Sequence, residues 1–372
     1  MSIVPTPDTV EQLGKLAQTE LPPVPKVRVF ACGGCGTNLV SRIEGGVASL
    51  ADVQYFDTSL ANRLGANIDP AKFTVLAGGR GSGGERIANF DEIRQSLTNL
   101  TDDAIGLSDI NIVVFSAAGG SGSVIGPVLL SDLRRRAQGR RQDIRMVAVV
   151  VGDSQSQVAA NNTKRTLQTL RMLAEDQESG FYLPVMIFTN KVGRSRVDAT
   201  LKYRLNALVE MLTLPVLEVD YADRMNTIGP ARLIGAASGI RLLHVGYGVQ
   251  TVTADGHSVQ ESGFTLENVV DSGEVFTYPK TGRVDTLLSL ALRSDKGFTL
   301  VDTSIQARVR FDGQFATTQT RPMLLMVTSD DQALTALIVE IEDTIAAFET
   351  TASSGGSSID LGGGVKKGAF AF

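Results

Sequence analysis

One stretch limits what this chain can fold into more than any other. From Asn111 to Leu130 it reads Asn-Ile-Val-Val-Phe-Ser-Ala-Ala-Gly-Gly-Ser-Gly-Ser-Val-Ile-Gly-Pro-Val-Leu-Leu. An apolar run of β character, Ile112 to Phe115, enters a loop of small residues, Ser116 to Ser123. The loop opens into a helix-like run, Val124 to Ala137. In a strand–glycine loop–helix unit, backbone N–H groups and the positive end of the helix converge on an anion, usually phosphate. A lone glycine pair would read as a tight turn with no ligand. Ala118-Gly-Gly-Ser-Gly-Ser123 adds hydroxyls that reach a phosphate or its metal, and this favours phosphate binding.

The arrangement recurs. Lys26 to Ala31 is a predicted strand, Cys32-Gly-Gly-Cys-Gly-Thr-Asn38 a second glycine loop, and Leu39 onward a helix. This loop lacks the Gly-Lys-Ser/Thr of a P-loop and the third glycine of a dinucleotide fingerprint. Val53 to Asp57 is the next strand. Its terminal acid faces a ribose or a phosphate-bound metal, or else caps a helix. Gly78-Gly-Arg-Gly-Ser-Gly-Gly84 is a third cluster, before a helix-like Glu85 to Leu100; its Arg80 and Ser82 are placed to close over a terminal phosphate. Strands follow at Asp143 to Val151 and at Leu183 to Thr189, ending at Asn190. Between them Leu167, Leu170 and Leu173 share a helix face, and the five arginines of Leu133 to Arg141 read as a solvated helix end. Alternating strands and helices over residues 27–195 indicate an α/β domain with a mainly parallel sheet. All its strand-to-helix turns lie on the carboxyl edge, where ligands bind. Three glycine loops converging there predict a nucleoside di- or triphosphate site.

Cys32 and Cys35 also form a C-x-x-C. A redox pair or a zinc site is the alternative to two compact residues in a glycine loop, but only His244 and His257 remain as further histidine ligands. Two cysteines in 372 residues fit a reducing compartment. A net charge of −5 argues against a dedicated nucleic-acid binder. There is no run long enough to span a membrane and no secretory signal, so a cytoplasmic protein is expected.

Val197, Leu201, Leu205, Leu208 and Leu212 form one apolar stripe and predict a long helix over 196–214, halted before Pro215. Asp220 and Asp223 follow, three apart. They read either as a helix cap with a surface acid or as a pair that orients and polarises a water. Residues 215–350 predict a second, α+β domain: strands at Arg241 to Thr253, Phe298 to Ile305, Ala307 to Phe315 and Met323 to Thr328. A helix capped at Ser329 then carries Leu334, Leu337, Ile338, Ile341, Ile345 and Phe348 on one face. Residues 1–26 read as a helical extension with a proline linker, docked on its own domain or on a neighbour. Residues 351–372 form a Gly/Ser-rich tail ending in Ala-Phe-Ala-Phe.

Together these residues resemble the tubulin/FtsZ superfamily. Ala118 to Ser123 looks like its Gly-Gly-Gly-Thr-Gly-Ser/Thr-Gly signature, with Ser121 for Thr and Val124 at the last Gly. Gly33-Gly-Cys-Gly-Thr-Asn38 looks like the first phosphate loop, and Val219-Asp-Tyr-Ala-Asp223 is similar to the synergy-loop Val-Asp-Phe-Ala-Asp. The degenerate signature, the short segment from Asn190 to Asp220 and the N-terminal extension look more like the phage and plasmid tubulins of the PhuZ and TubZ group.

The resemblance implies a tubulin/FtsZ-like α/β GTPase domain with a long central helix, using GTP and Mg²⁺, the metal held mainly through the phosphates. It implies that Gly33, Gly34, Cys35, Gly36 and Asn38 lie by the phosphates, with Asp57 near ribose or metal. Gly119, Gly120, Ser121, Gly122 and Ser123 grip the β- and γ-phosphates, and Gly79, Gly81 and Ser82 sense the γ-phosphate. Asn161 and Arg165 meet the ribose. Asn190 reads guanine together with Asp198, for which Tyr203 and Asn206 are rivals. Asp220 and Asp223 then act in trans, in the next subunit's pocket. Glu218 stands where FtsZ has Asn, which leaves room for a slow or inactive enzyme. The partner implied is a further copy, head to tail, in a filament that positions or segregates phage or plasmid DNA, with DNA engaged only indirectly and an adaptor possible at the tail. The competing readings are a non-hydrolysing nucleotide-binding scaffold, an FtsZ- or CetZ-like cell-division or cell-shape protein, and an NAD-dependent oxidoreductase.

Overall fold

The structure is a computed structural model. It describes residues 23–43, 50–176, 181–213, 219–229, 238–253, 261–266, 272–275, 282–292, 298–305, 308–309, 319–320, 323–328 and 332–354. The N-terminal extension, Glu218, the Ser329 cap, most of Ala307 to Phe315 and the Gly/Ser tail lie outside the described residues.

Seven parallel strands form the centre: β1 (Val27–Cys32), β2 (Asp52–Asp57), β3 (Phe73–Val75), β4 (Ile110–Ser116), β5 (Arg145–Gly152), β6 (Tyr182–Thr189) and the first part of β7 (Gly239–Thr253). Their spatial order is β3-β2-β1-β4-β5-β6-β7, every neighbouring pair parallel. The strands are almost continuously apolar because both faces are covered. Their two-residue period divides the side chains between two layers. Val29, Ala31, Ile112, Val114, Val147 and Val149 enter one core. Phe30, Cys32, Val113, Phe115, Ala148 and Val150 enter the other.

On the first face lie α1 (Gly33–Ser41), α7 (Arg194–Thr213) and α8 (Tyr221–Ile228). The stripe on α7 explains its seat: Val197, Leu201, Leu205, Leu208 and Leu212 are all fully buried, each worth roughly 1.5–3 kcal/mol against exposure. On the second face lie α3 (Phe90–Thr98), α5 (Gly122–Arg140), α6 (Gln157–Glu175) and the C-terminal α9 (Gln332–Ser354). Two short helices, α2 (Leu60–Gly65) and α4 (Asp102–Ile105), complete the set. Leu167 and Leu170 are buried and Leu173 partly so. Helix α9 packs on α6 through Leu334, Leu337 and Ile341, with Lys164 Nζ 2.9 Å from Glu342 and Lys191 paired to Glu340.

β7 joins the parallel and antiparallel halves of one continuous sheet. Gly239 to Leu242 pair in parallel with Tyr182 to Val185 of β6, whereas Leu242 to Tyr247 pair antiparallel with β13 (Met323–Thr328). Beyond β13 the path continues through β9 (Gly282–Leu292) to β10 (Phe298–Ile305). Three shorter strands, β8 (Glu261–Leu266), β11 (Arg308–Val309) and β12 (Gln319–Thr320), pair off this path. A buried ionic cluster ties α7 to this flank. Glu274 lies 3.3 Å from Arg204 Nε and 3.0 Å from His244 Nδ1.

Three local expectations differ. The Cys32–Asn38 loop is the first turns of α1, because only Gly33 needs a left-handed φ (+69°) and the helix runs on from there. The helix expected from Glu85 begins at Phe90, because Asn89 Nδ2 donates to the carbonyls of Ser82 and Glu85 and holds that segment in turns. The arginine-rich helix end is not uniformly solvated. Arg136 is buried, donating to Asp132 at 2.6 Å and to the Leu100 carbonyl at 2.9 Å.

Candidate functional site

The carboxyl ends of β1, β2, β4, β5 and β6 surround a cavity of about 540 Å³, within the usual size range for a small-molecule site. Two glycine loops meet there backbone to backbone. A Cβ on Gly33 would stand 2.6 Å from the Gly122 nitrogen, so the start of α1 and the start of α5 fit together only without side chains. The third cluster joins them at Gly120, where a Cβ would come within 2.7 Å of the Gly84 carbonyl carbon. It is also pinned to β2, Gly81 N–H donating to the Thr58 carbonyl at 2.6 Å.

Hydroxyls link the same loops. Thr58 Oγ1 and Ser121 Oγ are 2.6 Å apart, and Ser121 donates to Ser82 Oγ at 2.9 Å. Asp57 lies just behind them, 1% exposed, accepting from Thr58 N–H at 2.7 Å and from Asn62 Nδ2 at 2.6 Å. Burial raises its pKa above the ordinary carboxylate value, and these hydrogen bonds oppose the rise. Oxygen donors of this kind suit a hard cation such as Mg²⁺. The bare backbone at Gly120 and Gly122 suits phosphate.

Of the residues singled out in the sequence, Gly34, Cys35, Asn38, Asp57, Gly81, Ser82, Gly119, Gly120, Ser121, Gly122, Asn190 and Asp198 line the cavity. Tyr203 and Asn206, further along α7, do not. Gly33, Gly36 and Ser123 lie buried behind the lining; Ser123 Oγ donates to the Gly120 carbonyl at 3.3 Å. Gly79 and Arg80 lie outside the cavity, Gly79 against Val75 and Leu60. Asn161 and Arg165 are also outside it. Ser156 caps α6 by accepting from Ala159 N–H, which sets the helix phase. That phase turns Asn162 and Thr166 inward, where they donate to the Ala118 and Ala117 carbonyls at 3.1 Å each. Asn161 instead donates to its own helix at Gln157, and Arg165 is exposed.

Asp153, Arg194 and Asn62 line the cavity and were missed. Asp153 ends β5 as Asp57 ends β2, so the same signal was readable. Asn62 and Arg194 carry no sequence signal beyond polarity. The cysteines are free thiols. Burial pushes Cys32 well above its ordinary value and Cys35 to about 12, with Asp198 adding to the latter and Arg194 opposing it. That is the reverse of an activated redox thiol.

Asp220 and Asp223 occupy the opposite edge of the sheet. Asp220 caps α8 by accepting from Asp223 N–H at 2.8 Å, and Asp223 accepts from Asp220 N–H at 3.2 Å. Tyr221 reaches Asp109, just before β4, and Arg145 Nε, at the start of β5, donates to the Met225 carbonyl at 3.2 Å. β4 has seven residues and β5 eight, so roughly 20–25 Å of strand separates the acids from the cavity of their own chain. A base does adjoin them: Arg224 is buried, burial lowering it to about 10 while Asp223 opposes the shift.

No family model matches the chain. A phage tubulin-like protein of Pseudomonas phage phiKZ is 26% identical over 212 residues, 54% of this chain and 62% of that protein. Its counterpart from phage 201phi2-1 is 32% identical over 173 residues, 46% of this chain and 50% of that protein. In three dimensions a protofilament of TubZ from bacteriophage PhiKZ covers 93% of this chain and 97% of its own at a TM-score of 0.64 and 20% identity. The chain has the tubulin/FtsZ fold. Two further structures share this tubulin/FtsZ fold. The phage tubulin PhuZ bound to GDP has a TM-score of 0.62 at 22% identity, covering 91% of this chain and 96% of its own. An FtsZ dimer from M. jannaschii has a TM-score of 0.53 at 18% identity, covering 87% and 93%. The curated relatives of this tubulin-like chain are matched over 50–62% of their length.

Proposed function

We propose that the chain binds GTP at the carboxyl edge of its sheet and hydrolyses it when copies assemble head to tail into a tubulin-like filament. The observation that carries this reading is the split of the site: a glycine-lined cavity on one edge, and an acid pair, Asp220 exposed and Asp223 half-buried, on the other. Within one chain the acids cannot reach the cavity. Copies stacked edge to edge bring the acids of one onto the cavity of the next. The filament and protofilament forms of the structural neighbours support such stacking, and the GDP of the PhuZ structure supports a guanine nucleotide.

In this reading Gly34, Cys35 and the Gly119–Gly122 loop hold the phosphates through backbone N–H groups, and Gly81 and Ser82 lie over the terminal one. Asn190 and Asp198 face the base. The Thr58, Ser121 and Ser82 hydroxyl oxygens would help the phosphates hold Mg²⁺, which would supply charge neutralisation. Asp223 and Asp220 of the incoming copy orient the attacking water and accept its proton. Assembly therefore completes the enzyme. The filaments act in a bacterial cytoplasm, positioning or segregating phage or plasmid DNA. With a net charge of −5, the filament reaches that DNA through an adaptor rather than by direct contact.

The test is sedimentation with GTP against GDP; no GTP-dependent pelleting at high concentration would sink the proposal. Asp223→Ala is expected to slow turnover about 100-fold while filaments still pellet. One observation favours a second reading, a scaffold that binds nucleotide without hydrolysing it: each acid already accepts a backbone N–H from the other. Measured turnover in pelleted wild-type filaments separates the two.

A further inference from the structure

Asn190 ends β6, is 8% exposed and lines the cavity. An amide side chain has one donating face and one accepting face, and the face turned inward decides what it can read. Asp153, at the end of β5, is 6% exposed and lines the same cavity. Asn190 Nδ2 donates to Asp153 Oδ2 at 3.1 Å. The reverse orientation would set a carbonyl oxygen against a carboxylate and bury the NH₂ without an acceptor. What remains is Asn190 Oδ1, a buried acceptor with no hydrogen-bond partner among the described residues. Asp153 is itself held, accepting from Gln155 N–H at 2.9 Å and lying 3.5 Å from Arg194 Nη2.

We infer that Asp153 is a positioning residue for base selection: it locks the Asn190 amide so that only an acceptor faces the base. This rests on the guanine-nucleotide reading above and deepens it. The N1–H and N2–H₂ edge of guanine supplies donors to that acceptor. The matching edge of adenine presents N1, an acceptor, and a C–H. Adenine thus leaves two buried acceptors facing each other, and a site built for a hydrogen bond rejects a ligand that cannot make it. Asp198, a second acceptor-only group in the cavity, acts in the same sense. A direct contact from Asp153 to ribose would instead affect guanine and adenine nucleotides equally, because the sugar is common to both.

The experiment measures dissociation constants of the full chain for GDP and for ADP by calorimetry, below the assembly concentration. The proteins are wild type, Asp153→Asn, Asn190→Ala and the double variant. Wild type prefers GDP. Asp153→Asn removes the lock, since an amide accepts either face of its neighbour, and the GDP-over-ADP ratio falls about tenfold or more. Asn190→Ala lowers the ratio similarly, and the double variant lowers it no further than Asn190→Ala alone, because one residue acts through the other. Asp153→Ala, a second route to the same loss, gives the same drop if Asp153→Asn does not fold. Equal weakening of both nucleotides, or additive loss in the double variant, overturns the inference while leaving the guanine reading intact. A wild type with no preference for GDP overturns the guanine reading and the inference with it.

Discussion

The two edges of the parallel sheet solve opposite problems. At the carboxyl edge the loops around Gly33, Gly81 and Gly120 come from distant parts of the chain. They touch through backbone and hydroxyls, and leave Asn190 Oδ1 without a hydrogen-bond partner among the described residues. At the amino edge Asp220 and Asp223 come from one short segment and satisfy each other. The carboxyl edge presents a cavity lined by backbone and polar groups. The amino edge is complete as a helix cap, and under the proposed function its acids act only on a neighbouring copy. In the proposed reading, a site divided in this way would tie reaction to assembly without any moving part inside one chain.

The sharpest break of that contrast is at Gly120. Gly120→Val drives a side chain into Gly84 and Ser82 and is expected to raise the dissociation constant for GDP at least 100-fold. Calorimetry checks this; a change under threefold would mean the cradle is not the phosphate site. Next comes Asp198→Asn. Loss of a charged hydrogen bond costs about 1.5–3 kcal/mol, roughly 10- to 100-fold in GDP affinity. Xanthine nucleotide, which carries an oxygen where guanine carries N2–H₂, should regain much of it. Failure of xanthine to recover affinity would shift the base contact away from Asp198.

Asp220→Ala tests the other edge. Removing the cap should lower unfolding free energy by about 1 kcal/mol, seen by urea denaturation, with GDP affinity below the assembly concentration unchanged. A shift in that affinity would show that the edges are not independent. The smallest effect concerns Asp57. Its folded pKa is raised, so the folded chain binds this proton more tightly than the unfolded one, and stability falls as pH rises above the ordinary value of 3.8 towards the raised one. Asp57→Asn should flatten that part of the pH–stability curve of the nucleotide-free protein.

The contrast also explains what was legible beforehand. The central strands, the stripe on α7 and the three glycine loops were readable because periodicity and backbone freedom are local properties. Met323 to Thr328 and Phe298 to Ile305 were placed at their observed bounds. Strands β8 and β9 were not, since Glu-Ser-Gly-Phe-Thr-Leu of β8 has little apolar content and the Leu-rich run of β9 lacks a two-residue alternation. At the carboxyl edge, most of the loop residues singled out by composition line the cavity or lie directly behind it, Gly79 and Arg80 excepted. Asn161 and Arg165 fall outside the cavity because helical phase depends on where Ser156 caps α6, and one residue of phase separates Asn161 from the inward-facing Asn162. For the two acids the structure shows the reciprocal cap, one of the two readings available for the pair.

The shared strand β7 has a consequence for how this chain is made. During synthesis residues 239–253 emerge after β6, so the parallel part can form at once. β13, which closes the other side of β7, is translated about eighty residues later. In that interval Leu243 and Val245 flank an open strand edge, the kind of edge that recruits other chains. A ribosome-bound nascent chain stalled between residues 260 and 320 should therefore be far more prone to aggregate, or to hold a chaperone, than one released at full length.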